Sequence, residues 1–269
     1  MVYSNPMVEF KTSQGTNVTL APHTHARPGF EVRYLNYGVS FSSTFAEASD
    51  GPPRFLSGGL TDIQTFYHGD AWGFEGYHRY ARGFYSQTDV VGAPEFSHPG
   101  MTLQSTSATL YRAMGEEFRV YRLSEGLATT GVEPDAMLTF ALSQNHLRDN
   151  EAFMRGSGVS GSRFDAVQDL NIYSASVGAG LALSTNAGGL YFDPALFAGV
   201  GMQYREWDGH PETTWNLVKV NLRMRMGYRT RWFNAGAGFE NDAHVAIAAE
   251  NESVTFNALV ARALLQIYL

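Results

Sequence analysis

The segment Val218–Arg229, VKVNLRMRMGYR, restricts the fold more than any other stretch of the chain. Val218, Val220, Leu222, Met224, Met226 and Tyr228 alternate with Lys219, Asn221, Arg223, Arg225, Gly227 and Arg229. Successive side chains of a strand point to opposite faces, so this is a ribbon with one apolar and one cationic face. A helix turns about 100° per residue and would smear both sets around its circumference. Such a ribbon also suits a soluble sheet with one face on a core and one in water. The neighbouring segments therefore decide.

The alternation recurs along the chain, punctuated by Gly, Pro, Asn and Asp. It predicts strands over Gly29–Leu35, Tyr37–Phe45, Leu60–Gly69, Trp72–Arg82, Thr102–Met114 and Glu117–Gly126. Further strands follow over Asp135–Leu147, Asn171–Ser184, Leu190–Arg205, Thr213–Arg229, Trp232–Ile247 and Val254–Leu269, with no amphipathic helix between them. Met1–Pro28 reads as a ragged N-terminal periplasmic or lumen segment, with Val18–Ala21 a candidate short strand, and 29–269 as one β-barrel domain.

Length alone, 269 residues, allows one large β domain or two ordinary ones. Mean hydropathy is slightly negative, at -0.21, and no apolar run is long enough for a transmembrane helix. That leaves a membrane barrel open, because lipid-facing and lumen-facing residues alternate and average out. The chain has no cysteine, which excludes disulfides and thiolate sites. Its net charge of -7, without a basic block, argues against nucleic-acid binding. The opening MVYSNPMVEF lacks the basic and apolar regions of a signal peptide.

Three features favour a membrane barrel over a soluble sandwich. The last four strands are longer than the usual 5 or 6 residues of a globular sheet. Short turns at NY, TNAGG and TR contrast with long connections at GAPEFSHPG, EWDGHPE and after Leu147. The chain also ends within a strand, where Leu259, Ala261, Ala263, Leu265, Ile267 and Leu269 share a face. Tyr37, Phe45, Trp72, Phe74, Tyr204, Tyr228, Trp232 and Phe233 lie near strand ends, as interfacial girdles require. The expected fold class is an all-β, transmembrane, antiparallel up-and-down barrel of about twelve strands.

The runs PGFEVRYLNYGVSFSSTF, WGFEGYHRYARGFY and EEFRVYRLSEGLATTGVEPDAML resemble successive blocks of an uncharacterised, domain-of-unknown-function family of bacterial outer-membrane proteins. The third block departs from the family pattern at Leu127–Thr130. The resemblance implies a barrel in the bacterial outer membrane and supplies no catalytic residue.

If the apolar face of Val218–Arg229 meets lipid, its cations face the lumen, because an Arg toward lipid at the midplane costs about 2–4 kcal/mol. The same parity makes Glu31, Arg33, Glu75, Arg79, Arg205, Lys219, Arg223, Arg225, Arg229, Glu240 and Arg262 the expected lumen-lining residues. Such a set either pairs across a narrow interior and plugs it, or leaves cations free to select or bind anions. The expected role is non-enzymatic: a narrow or plugged channel, or a binder of small anionic solutes, working as a monomer in outer-membrane lipid without a cofactor.

An outer-membrane lipid-acting acyl hydrolase or acyltransferase is the alternative. Its best constellation is Ser143, Asn145 and His146, although adjacent His146 points away from the other two. His23 and His25 lack further zinc ligands nearby. Asp149, Asn150 and Glu151 lack the glycine-bearing loop of a calcium site. No glycine pair completes a phosphate loop.

Overall fold

Residues 1–12, 17–22, 27–44, 59–69, 71–87, 97–115, 131–157, 163–247 and 253–267 are described in a computed structural model of the chain. They form a single sheet of 13 strands. The strands are β1 (Val2–Lys11), β2 (Asn17–Pro22), β3 (Gly29–Tyr34), β4 (Tyr37–Ser43), β5 (Gly59–His68), β6 (Trp72–Gln87) and β7 (Ser97–Ala113). They continue with β8 (Gly131–Arg148), β9 (Asp169–Ala187), β10 (Leu190–Trp207), β11 (His210–Arg229), β12 (Phe233–Ile247) and β13 (Ser253–Ile267). Every pairing is antiparallel.

The sheet order is β2-β1-β13-β12-β11-β10-β9-β8-β7-β6-β5-β4-β3, and β2 also pairs with β6. That pairing closes a ring of ten strands, β1, β2 and β6 to β13, with β3, β4 and β5 attached to the lower part of β6. The order is up-and-down from β6 to β13, but the ring closes between strands distant in sequence. The cause is local. Strand β5 stops at Gly59 opposite Arg82, and β6 passes through a bulge at Gly83, whose φ of 78° suits glycine. Phe84–Gln87, beyond the bulge, are then free to pair with Thr19–Pro22.

The first 28 residues, expected as a periplasmic or lumen segment, thus supply β1 and β2 to the wall. The predicted strand Glu117–Gly126, together with Phe45, His23 and His25, lies outside the described residues.

Tight turns mark one end of the barrel, called lower here. Gly188 and Gly189, both at positive φ, join β9 to β10, and Leu35–Asn36 join β3 to β4. Around the lower part, the outward residues are apolar: Leu138, Phe140 and Leu142 on β8, Val177, Leu181 and Leu183 on β9, Leu190, Phe192, Leu196 and Val200 on β10, and Val218, Val220, Leu222 and Met226 on β11 are all exposed. From Leu190 to Val200, ten steps of about 3.4 Å at a tilt of about 40° span a height of about 26 Å. Rings border this band. Tyr173 and Tyr204 meet at its upper edge with centroids 6.1 Å apart, and Tyr228 and Phe233 lie 6.2 Å apart at its lower edge. Above the band the outward side chains turn polar, with Gln104, Gln144, His146 and Arg148 on β7 and β8.

The interior reverses this order. Its upper part is an apolar core of Val8, Phe10, Val18, Leu20, Phe84, Met101, Leu103, Leu147 and Leu170, among others. The β8–β9 connection folds into the mouth and adds Phe153, Met154, Phe164 and Val167 to that core. Phe164 lies between Phe10, at 5.0 Å, and Trp207, at 5.3 Å. The stopper closes on itself through the Phe153 N–H donating to the Val167 carbonyl, and it is tied to the rim by the Gln168 N–H donating to the Asp208 carboxylate. Burying each of these rings contributes about 1.5–3 kcal/mol. Beneath it lies a layer of small polar residues, including Ser105, Ser107, Asn145 and Ser174.

Candidate functional site

The lower interior is ionic, and Arg223 is its centre. Alternation along β11 turns Arg223 inward, and the β11–β12 register sets it opposite Glu240. Its guanidinium lies 3.2 Å from the Glu240 carboxylate and, across the barrel, 2.6 Å from Glu75 on β6. It also donates to the Tyr111 hydroxyl at 2.7 Å and to the Asn221 side-chain oxygen at 2.7 Å. The Tyr111 hydroxyl in turn donates to Glu75 at 3.1 Å. The rings of Tyr111 and Phe197 lie 5.4 and 5.7 Å from the guanidinium carbon. One arginine therefore ties β6, β7, β11 and β12 together through the lumen.

Two more carboxylates hold the neighbouring cations. Asp62 on β5 accepts from Arg79 at 2.5 Å and also pairs with Arg27. Asp242 on β12 lies 3.6 Å from Lys219 and 3.3 Å from His244. A buried carboxylate or guanidinium is tolerable only with such partners, because the cost of taking a single charge out of water is several kcal/mol.

Beside this network is a cavity of about 200 Å³, lined by Glu31, Glu75, Arg79, Lys219, Arg223, Arg225, Arg229, Glu240 and Arg262. Asp62, Asp242, Tyr111 and Tyr191 also line it. The rest of the expected lumen set falls elsewhere. Arg205 is fully buried higher up, donating to Gln203 at 2.5 Å and lying beside Trp207 beneath the apolar stopper. The side chain of Arg33 lies outside the described residues.

Alternation along β12 puts Asp242 on the face of Glu240, so its place was readable from the sequence. Asp62 follows from the same rule on β5, with Leu60, Phe66 and His68 sharing its parity. Arg27 precedes β3 and carries no periodic signal.

The Ser143, Asn145 and His146 constellation does not assemble. Asn145 is buried inside, whereas His146 on the outer face bonds Asp169 at 3.0 Å. Asp149 is turned inward against His98 at 2.5 Å and accepts from the Asn150 N–H at 2.7 Å. Among the described residues, no group of three or more His, Cys, Asp or Glu is placed to hold a metal ion.

No family model and no curated protein match the chain. Among solved structures it is similar to the crystal structure of the outer membrane protease OmpT from Escherichia coli, with 7% identity and a TM-score of 0.43 over 99% of this chain and 95% of that one. The barrel assignment rests on the strand pairings themselves.

Proposed function

We propose that the chain is a plugged outer-membrane barrel of non-enzymatic role, which holds small anionic solutes in its lower chamber. One observation carries this reading: at a single level of the barrel the outer face is apolar and the interior is ionic, the reverse of a water-soluble barrel. The apolar band is about as tall as the hydrocarbon core that such barrels cross. Open sheet edges and polar surfaces are excluded from that layer.

The plugged character is supported by two barriers in series. Arg223 bridges the lumen to Glu75, and the apolar stopper fills the opposite end. An aqueous path would have to break a cross-lumen ion pair and then wet a packed core. The preference for anions is supported by the balance of the cavity wall, where Arg79, Lys219, Arg223, Arg225, Arg229 and Arg262 outnumber Glu31, Asp62, Glu75, Glu240 and Asp242 by one charge.

Planar-bilayer recording tests both parts. The expected result is no current above background with the intact chain, and anion-selective current when Phe153→Ala and Phe164→Ala thin the stopper. Steady conductance of the intact chain would contradict the plugged reading. Cation selectivity of the thinned variant would contradict the anionic solute.

A further inference from the structure

The lower end of the chamber wall carries a donor without an acceptor. Arg229 and Asn234 form the last pair of the β11–β12 ladder, and both line the cavity. The Arg229 Nε is buried and has no hydrogen-bond partner among the described residues. Asp193, the acid opposite Arg225 in the β10–β11 register, accepts from the Ser184 hydroxyl at 3.0 Å and not from Arg229. A buried N–H of a charged group is costly to leave unpaired, so this position calls for an acceptor from outside the chain.

The groups around that Nε restrict what the acceptor can be. The Tyr191 ring lies 5.8 Å from the Arg229 guanidinium carbon, and its hydroxyl donates to the Asn234 Oδ1 at 3.1 Å. Asn234 is only 4% exposed, and with Oδ1 occupied it presents its Nδ2 as a second donor on the cavity wall. The Nε of an arginine and the adjacent Nη form a planar fork that matches the two oxygens of a carboxylate. The charges that act on the Tyr191 hydroxyl are Arg229, Asp193 and Arg225, which sum to one positive charge. A single carboxylate balances that sum, whereas a doubly charged anion exceeds it.

Room for the rest of the solute lies directly above. Gly236 and Gly238 follow Asn234 on the inward face of β12 and line the cavity. They are glycines for different reasons. A Cβ on Gly236 would strike the Tyr191 hydroxyl, so this residue seats the ring. A Cβ on Gly238 would meet only the Arg225 Cγ at 3.8 Å and the Met224 carbonyl at 3.9 Å, which is ordinary contact. Packing therefore tolerates a side chain at 238, and glycine there leaves the wall bare toward the chamber.

We propose that this end of the chamber binds the carboxylate of a small, singly charged organic acid, held by the Arg229 Nε and the Asn234 Nδ2, with its uncharged body against Gly238. The site rests on the anion-holding reading above and narrows it to one chemical class and one place.

Equilibrium dialysis of carbon-14-labelled butyrate against the full chain in an uncharged, sugar-headed detergent tests this. Butyrate is expected to bind the parent, and to bind about tenfold or more weakly to Arg229→Gln and to Gly238→Val. Arg229→Gln removes no ion pair among the described residues and Gly238→Val fits the packing, so both variants are expected to unfold at the parent's denaturant midpoint. Unlabelled phosphate is expected to displace less of the label than the same concentration of unlabelled butyrate. Parent-like binding of butyrate by Arg229→Gln would overturn the site and leave the anion-holding chamber standing. Stronger displacement by phosphate than by butyrate would overturn the carboxylate in favour of a phosphoanion. If neither labelled butyrate nor labelled phosphate bound the parent, the site and the anion-holding reading would fall together.

Discussion

Arg223 and Glu75 are each other's main reason for being tolerated inside the barrel. Both are almost fully enclosed, and the 2.6 Å contact between them offsets the solvation each gives up. Arg223→Met would leave Glu75 with its carboxylate buried and its strongest partner gone. The expected loss is about 3–5 kcal/mol in denaturant unfolding from detergent, with most of it recovered in the double variant Arg223→Met, Glu75→Gln. If the single variant matched the parent, the pair would have no structural role. Gly180 makes a second residue-scale demand, since a Cβ there would press on the Phe197 ring and the Leu196 carbonyl. Gly180→Val is expected to cost about 1–3 kcal/mol in the same assay. Inward orientation of Arg223, Lys219 and Glu240 is legible in the sequence because alternation fixes a face. The partner across the lumen is not, because Glu75 lies on β6 and Arg223 on β11, and nothing local to either strand says how the ring curls. Height is hidden for the same reason: Arg205 shares the inward parity, yet it sits under the apolar stopper.

At the level of the strand, the outer face gives different answers to the same substitution at different heights. Leu222 points outward within the apolar band, at 42% exposure, whereas Gln104 points outward from β7 above it. Leu222→Arg is expected to weaken folding into lipid vesicles by about 2–4 kcal/mol, and Gln104→Arg by about 0–1 kcal/mol. Equal penalties would mean that the band has no special environment. Strand existence from β3 onward was readable from period-two alternation, since the long elements β9 to β13 are uninterrupted. Strands β1 and β2 were harder. Their inward residues, such as Val8, Phe10, Val18 and Leu20, belong to the apolar core, while their neighbours Thr19 and Asn17 are polar without a repeating apolar partner face. A strand whose inside is apolar and whose outside is wet reads like a soluble edge, and only the β2–β6 pairing reveals its place.

The whole molecule divides across its height. Its upper third is built like a soluble barrel, apolar within and polar without, and its lower part is built the other way round. The sequence carried the lower half clearly, because one strand after another repeats the apolar-outward pattern. It carried the stopper poorly, since Phe153, Met154 and Phe164 sit in a connection without periodicity, and their burial depends on the width of the mouth they enter. On the membrane reading, the band from Leu190 to Val200 meets hydrocarbon. Refolding from urea into phospholipid vesicles, followed by flotation, tests it most directly, with brominated acyl chains reporting on the depth of Trp72 and Trp232. The chain is expected to float with the vesicles, and its fluorescence to be quenched most strongly by bromines near the headgroups, where those two rings border the band. Monodisperse, folded protein in buffer without detergent, absent from the floating fraction, would contradict it.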